Sequence, residues 1–452
     1  MQLNIKHLAL ALCVAVPTAF AATSRPSFVT TEIYNYNHPY AAQASNELAT
    51  KMSKMNSSAF YFYRGTNHIF FKDTATLPAS SYTTSTTAYT WLGGDTHLAN
   101  VGSQRDSSGK SNFSVNDFDE GYLGQYVWDV RRMATSIVLA GRENGLSDSN
   151  ITTAINTFVG AYVDKMSAFK GNDDEKTFQL ISSNTSGVVK TNITDADGNT
   201  RADLLSKYTS VSGSTRTFQN KSDLVTVTSG TYNMIAGAVP AYISSIAPGK
   251  QYAASFYTVK DIHQKLGSGT GSLGRMRYYI LIEGPSTSTS DDVILEVKQA
   301  TSSAVATVLP GQLPMSAYAG NEGNRVARTA KAQVINADVL IGSTTINSQP
   351  YYIHEKSPFQ EDFDYTDLSS SSKFTTAMTP VGQALASAHA LADKDYDNTV
   401  VPYGIDAEVT TAITSKSGLQ AEIVAFAFSY ADQVALDWAS FKSAYAAGTP
   451  LY

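Results

Sequence analysis

Residues 91–120 read WLGGDTHLANVGSQRDSSGKSNFSVNDFDE, two short polar knots on either side of a turn-forming spacer. Only 16% of the chain is charged, against about 25% in ordinary soluble proteins, so this concentration of carboxylates asks for a chemical reason. The first knot is Gly-Asp-x-His-x-x-Asn and carries Asp95, His97 and Asn100. The second is Asn-Asp-Phe-Asp-Glu and carries Asp117, Asp119 and Glu120. Phosphoryl transfer needs a carboxylate for the acceptor hydroxyl, oxygen ligands for magnesium, a cation for the phosphates and backbone N–H groups to cover them. Asp95 suits the first role, and Asn100 with Asp117 the second. GSQRDSSGK predicts a hairpin turn that returns the chain as a strand and brings Asp117 back towards Asp95. The plainer alternative is a capped, hydrogen-bonded loop network without metal. His97 taken alone fits a structural role better than a catalytic one.

A kinase-type site needs a phosphate-covering lobe before it, and residues 23–90 are too few to hold one. The missing parts lie downstream. KLGSGTGSLGRMRYYILIEG contains Gly269-x-Gly271-x-x-Gly274, with Ser272 inside it, and continues into a Tyr- and Ile-rich strand. A dinucleotide-binding glycine loop runs into a helix, whereas a flap over phosphates runs into a strand. After the turn GPSTSTSDD, VILEVKQA presents Lys298 where a kinase lobe presents its phosphate-pairing lysine. The helical segment GNEGNRVARTAKAQVINADVL offers Glu322 as the nearby partner for Lys298, at the helix start rather than inside it. QPYYIHEKSP reads as an edge strand and hinge, and TPVGQALASAHALAD as a helix ending in Leu-Ala-x-x-His. This order resembles aminoglycoside-phosphotransferase-like kinases, in which such a helix leads directly into Gly-Asp-x-His-x-x-Asn. The resemblance implies circular permutation, the chain opening between that helix and the Gly-Asp loop.

The expected fold is therefore α+β and bilobal, protein-kinase-like in permuted order, with a small antiparallel-sheet lobe and a larger, mainly helical one. The boundaries are 1–22 for a signal peptide and 23–250 for the loop-bearing part of the large lobe with a helical and hairpin insertion. Residues 251–355 form the sheet lobe with one helix, and 356–452 the helical remainder. The signal peptide is read from Lys6, the apolar run LALALCVAVPTAF and the small residues Ala19, Ala21 and Ala22. It implies a periplasmic or secreted protein with no stable membrane insertion after cleavage. The single cysteine, Cys13, lies inside it, which leaves no disulfide, thiolate zinc site or cysteine nucleophile in the mature chain. A net charge of −6 argues against nucleic acid as a partner.

Elsewhere, AFYFYRGTNHIFF (59–71) reads as a strand, and YVWDVRRMATSIVLAGRENG as a helix ending at Gly145. A second helix is expected over 149–168 behind Ser147 or Asp148. Residues 170–230 suggest loops, short hairpins and one helix. His389 is expected to be a buried hydrogen-bonding residue. Asp432 and Asp437 are expected to be structural, and the 26 tyrosines to serve strands and core.

Taken together, FYFYRG, GDTHLANVG, NDFDE, WDVRRMATS, VKDIHQKLGSGTGSLGRMRYY, LEVKQA and YADQVALD resemble the bacterial family known as domain of unknown function 2252, over about residues 59–445. Its motifs are similar to those of kinase-like phosphotransferases, and the similarity implies roles. Asp95 would be the base, Asn100 and Asp117 metal ligands, Lys298 the phosphate partner, and Gly269, Gly271, Ser272 and Gly274 the flap. Asp129 in WDVRR would brace the site, with Asp119 nearby. Arg64 would contact phosphate or pair with a site carboxylate. Family members carry an acidic residue where this chain has Arg328, which puts the lysine–glutamate pair in doubt.

Three functional readings follow. The first is an exported phosphotransferase or nucleotidyl transferase using an ATP-like donor, Mg2+ and an unknown acceptor. The second is an inactive ligand-binding module on the same fold. The third is a metal-dependent phosphoesterase, for which the sequence supplies no additional ligands.

Overall fold

The computed structural model describes residues 25–84 and 88–452, so the signal-peptide reading falls outside the described residues. The chain is α+β, with about 52% helix and 16% strand in several small antiparallel sheets.

The largest sheet has six strands, in the order Gly342–Ile346, Gln349–Glu355, Val293–Gln299, Arg277–Ile282, Val259–Lys265 and Leu224–Thr226. Every neighbouring pair is antiparallel. Alternation along each strand decides what its two faces meet. Tyr278, Ile280, Ile282, Val293, Leu295 and Val297 share a core with Ile235, Val239 and Tyr242 of the helix Ser229–Ser245. Tyr279, Leu281 and Ile294 point the other way, onto Leu205, Tyr208 and Phe218. Arg277, Glu296 and Lys298 share that second parity, which turns three charged side chains away from the helix-covered core.

The main core is helical. Helix Asp148–Phe169 packs along Ser371–Leu391, and Lys416–Ala446 lies across both Tyr126–Glu143 and Asp148–Phe169. Helix Tyr126–Glu143 ends where Gly145 takes a φ of +74° and the Leu146 N–H returns to the Gly141 carbonyl at 2.9 Å, a conformation that glycine adopts without strain. The following helix begins behind Ser147, whose Oγ accepts from the Asn150 N–H at 3.3 Å. The hairpin expected between the two acidic knots is Val101–Arg105 against Ser111–Val115.

Four expectations are corrected. Residues 59–71 form no strand; they fall in two short helices, Ala59–Gly65 and Asn67–Thr74. The aromatic run suggested a two-faced strand because Phe60, Phe62, Tyr63, Phe70 and Phe71 are all buried, but Ser58 caps the first helix through the Tyr61 N–H at 3.1 Å. Gln349–Glu355 is not an edge strand. Asn347 and Ser348 both take positive φ (48° and 63°), the two-residue turn that suits a hairpin, and fold Gly342–Ile346 onto its outer side. Residues 170–230 hold two helices, Gly187–Gly198 and Arg201–Tyr208, rather than one. The lobe expected over 251–355 holds a second, short helix, Ala304–Val308, while Ser229–Ser245 from outside that span covers one face of the sheet and Glu322–Gln333 packs on Gln349–Glu355. There a Cβ on Gly323 would stand 2.2 Å from the Tyr351 carbonyl oxygen, so the close approach requires glycine.

Candidate functional site

The loop at Gly93–Asn100 is held from behind by Asp129 of the helix Tyr126–Glu143. Asp129 Oδ2 accepts from the Gly93 N–H at 2.7 Å and Oδ1 from the Gly94 N–H at 3.1 Å, while Thr96 Oγ1 donates to the Asp129 carbonyl at 2.8 Å. His389 Nε2 lies 3.2 Å from Asp129 Oδ2, and its Nδ1 lies 2.9 Å from the Tyr162 hydroxyl. His389 is thus the buried hydrogen-bonding residue that the sequence suggested. Gly94 has a φ of +72°, and a Cβ there would lie 2.0 Å from the Glu120 carbonyl. The two acidic knots therefore touch at a point where only glycine fits.

This brace presents Asp95 to the centre of the molecule. Arg132, one turn beyond Asp129, grips Asp95 Oδ1 through Nε at 2.8 Å and also through Nη2. The guanidinium is fully buried and lies over the rings of Tyr63 and Phe70. Burial pushes the Asp95 carboxyl up to about 7 against the pull of Arg132, and Glu120 and Asp117 add to the rise. His97 Nε2 lies 3.8 Å from Asp95 Oδ2, and its Nδ1 accepts from the Ala99 N–H at 3.2 Å. Burial, aided by Arg64 and Arg132, holds the His97 imidazole well below its ordinary pKa, so the ring is neutral at pH 7. Asn100 donates its amide nitrogen to the Asp95 carbonyl at 2.9 Å, so its amide oxygen could serve as a ligand.

Lys298 reaches this site from the six-stranded sheet. Its Nζ lies 2.5 Å from Asp119 Oδ2 and 3.5 Å from Asp117 Oδ1. Burial works against the ammonium, but Asp117 and Asp119 outweigh it and hold the pKa above the ordinary lysine value. Next to it Arg277 pairs with Glu296 at 2.6 Å. Burial alone would raise the Glu296 carboxyl, yet Arg277, His354, Lys356 and Lys298 hold it down at about 2.

The glycine segment folds over the Gly-Asp loop. A Cβ on Gly271 would lie 3.3 Å from the Arg64 carbonyl and 3.9 Å from Asp95 Oδ2. Helix Ala41–Ser57 pins the flap from outside. Lys51 Nζ donates to the Gly271 carbonyl at 2.9 Å, Lys54 Nζ to Gly267 and Gly269 at 3.1 Å each, and Glu47 accepts from the Gly267 N–H at 2.8 Å. Burial, with Arg275 nearby, pushes the Lys51 ammonium down to about 7.

Beneath the flap is a chamber of about 30 Å³, lined by Asp95, His97, Asn100, Asp117, Asp119, Gly271 and Ser272 among others. It adjoins a cavity of about 780 Å³ between the sheet and the hairpin, lined by Arg64, Asn100, Asp117, Asp119, Gly269, Ser272, Arg277 and Lys298 among others. Arg64 lines both. Among the described residues it pairs with no carboxylate, and its Nε is buried without a hydrogen-bond partner.

Of the residues singled out from the sequence, Arg64, Asp95, His97, Asn100, Asp117, Asp119, Gly269, Gly271, Ser272 and Lys298 meet here, with Asp129 directly behind. Two stand apart. Gly274, at a φ of +100°, packs on Leu48 of the pinning helix and lines neither chamber. Glu322 bonds Arg325 at 2.5 Å rather than Lys298, because it sits in the first turn of its helix and Asp119 already occupies the lysine. Arg328 turns away to Asp397. Sequence reasoning missed Arg132, Arg277 and Lys51. Arg132 had a signal in the i, i+3 spacing from Asp129; Lys51, on a polar helix far from the motifs, had none.

No curated protein and no solved structure matches the chain. The family model for an uncharacterised protein conserved in bacteria, DUF2252, matches residues 43–444, and the chain belongs to that family.

Proposed function

We propose that this chain is an exported kinase-like phosphotransferase, or nucleotidyl transferase, on a bilobal kinase-like fold in circularly permuted order. The observation that carries the reading is the meeting of Lys298 with Asp117 and Asp119 beside a glycine flap laid over Asp95. Buried charge is costly unless it is paired or used, and core packing alone does not require these groups to converge on one cavity. Permutation draws support from Thr90 Oγ1, which donates to the carbonyls of His389 at 3.3 Å and Ala392 at 2.9 Å. The helix that would precede the Gly-Asp loop in unpermuted order thus ends beside the strand that now leads into it.

In this reading the acceptor oxygen bonds to the terminal phosphorus of a nucleoside triphosphate as its proton passes to Asp95. The bond to the bridging oxygen breaks, and the diphosphate leaves. A carboxyl near pH 7 suits that base role. Lys298, Arg277 and the unpaired Arg64 offer charge to the phosphates. Asp117 and the Asn100 amide oxygen would hold magnesium, since they are hard oxygen donors on one cavity wall, and one or two such ligands plus phosphate satisfy that ion. When bound, it would neutralise phosphate charge.

The inactive binding module is favoured by one observation, the double grip of Arg132 on Asp95 Oδ1. No observation favours the phosphoesterase. A thermal-shift series with ATP, ADP, AMP and GTP, with and without magnesium, separates these readings. Stabilisation that needs both nucleotide and metal, and is lost in Asp117→Ala and Lys298→Ala, is expected. No shift with any nucleotide would overturn the phosphotransferase.

A further inference from the structure

Away from the cleft, the turn Asp174–Lys176, which follows the helix Asp148–Phe169, meets the short helix Lys394–Asp397, which follows Ser371–Leu391. There Asp173, Glu175 and Asp395 each bring a carboxylate oxygen within 4.8 Å of the other two. Lys176 answers part of this charge, at 3.0 Å from Asp173 Oδ1 and 3.3 Å from Asp395 Oδ2. Among the described residues Glu175 pairs with no cation. It is 5% exposed, and its Oε2 is buried without a hydrogen-bond partner, a state that costs free energy unless something polar fills it. The neighbouring carboxylates do not relieve it. Asp393 is occupied by the N–H groups of Asp395 at 2.9 Å and Ile405 at 3.3 Å, and Asp406 by that of Gly171 at 3.3 Å.

We propose that Asp173, Glu175 and Asp395 form a calcium site that ties these two segments together. The donors are all hard carboxylate oxygens. Asp173 and Asp395 are exposed, leaving room for water to complete the coordination, and the side chain of Lys176, 42% exposed, would exchange its two ion pairs for solvent when the cation enters. Three carboxylates with room for water suit calcium, which takes about six to eight oxygen ligands in a flexible shell, better than magnesium, which usually keeps several waters and takes one or two carboxylates. The site lies just past His389, so the ion would brace the end of the helix Ser371–Leu391, whose His389 meets Asp129. It is independent of what the cleft binds.

Calorimetric titration of the chelator-stripped mature chain with calcium, and separately with magnesium, tests this. One calcium per chain is expected, with a Kd of about 10⁻⁴–10⁻³ M and weaker magnesium binding. Glu175→Gln should weaken calcium binding at least ~10-fold while melting no lower than wild type in chelator, because it removes an unanswered buried carboxylate. Lys176→Gln should tighten calcium binding several-fold, roughly the effect of removing one neighbouring charge near the surface. No saturable calcium heat, unchanged affinity in Glu175→Gln, or weaker binding in Lys176→Gln would each overturn the proposal.

Discussion

Replacing Asp129 tests whether the Gly-Asp loop depends on its brace. The carboxylate is 0% exposed and takes bonds from Gly93 N at 2.7 Å, Gly94 N at 3.1 Å and His389 Nε2 at 3.2 Å. Hydrogen bonds to a charged group contribute about 1.5–3 kcal/mol each, so three at the low end give roughly 4.5 kcal/mol. Removing one partner of a buried charged network costs about 3–5 kcal/mol by a separate route, and the two figures agree. The loop has little room to adjust, since the Glu120 carbonyl closes on Gly94. We therefore expect Asp129→Ala to lose about 4 kcal/mol. Asp129→Asn should lose about 2 kcal/mol, because the amide keeps one acceptor and turns a donor onto another donor. Urea unfolding followed by tryptophan fluorescence reads this, with the fully buried Trp91 two residues before Gly93 as a local reporter. A loss below about 1 kcal/mol in Asp129→Ala, well short of the buried-partner range, would refute the claim that this carboxylate holds the loop.

Asp95 predicts a pH signature. Its folded pKa of about 7 lies above the ordinary value of 3.8, so between those pH values the folded state holds more protons than the unfolded one, and stability falls as pH rises. Denaturation of wild type and Asp95→Asn across pH 4–8 should show the difference moving in the variant's favour up to about pH 7 and then levelling; a flat difference would exclude the shift. Lys51→Met should release the flap, seen as at least ~10-fold faster hydrogen exchange at the amides of 267–274, whereas exchange unchanged from wild type would mean the lysine does not pin it. Gly323→Ala should cost about 3 kcal/mol, the top of the overpacking range, because its methyl would meet the Tyr351 carbonyl at 2.2 Å; a near-neutral melting temperature would contradict the close approach.

Much of the site was legible because its chemistry is local. Gly-Asp-x-His-x-x-Asn and Asn-Asp-Phe-Asp-Glu each gather their polar groups within a few residues, and a turn-forming spacer predicts that they meet. Lys298 was legible through its place on the strand that follows the glycine segment and the turn GPSTSTSDD; the alternation that turns it out of the core with Arg277 and Glu296 emerged from the sheet register. The partner of that lysine was not. Glu322 lay in the right segment, but only the three-dimensional register places Asp119 within 2.5 Å. The helices at 59–74 were hidden because aromatic side chains buried on every side erase the periodicity that separates helix from strand. The contact of Lys51 with Gly271 spans 220 residues, and nothing in either local sequence signals it.

Apart from Arg64, the cleft pairs its main charges with one another, and that shapes how it would take a ligand. Lys298 is spent on Asp117 and Asp119, and Asp95 on Arg132. A phosphate that drew Lys298 away would leave two carboxylates short of a cation, which favours magnesium at Asp117. Magnesium at Asp117 would in turn free Lys298 for phosphate. By linkage each ligand must raise the affinity for the other by the same factor. In the proposed reading, positive coupling between nucleotide and metal would follow from this ion-pair arrangement without a conformational change. A ligand that bound equally well with and without magnesium would leave the pairing of Lys298 with Asp117 and Asp119 intact, and would have to sit elsewhere in the large cavity.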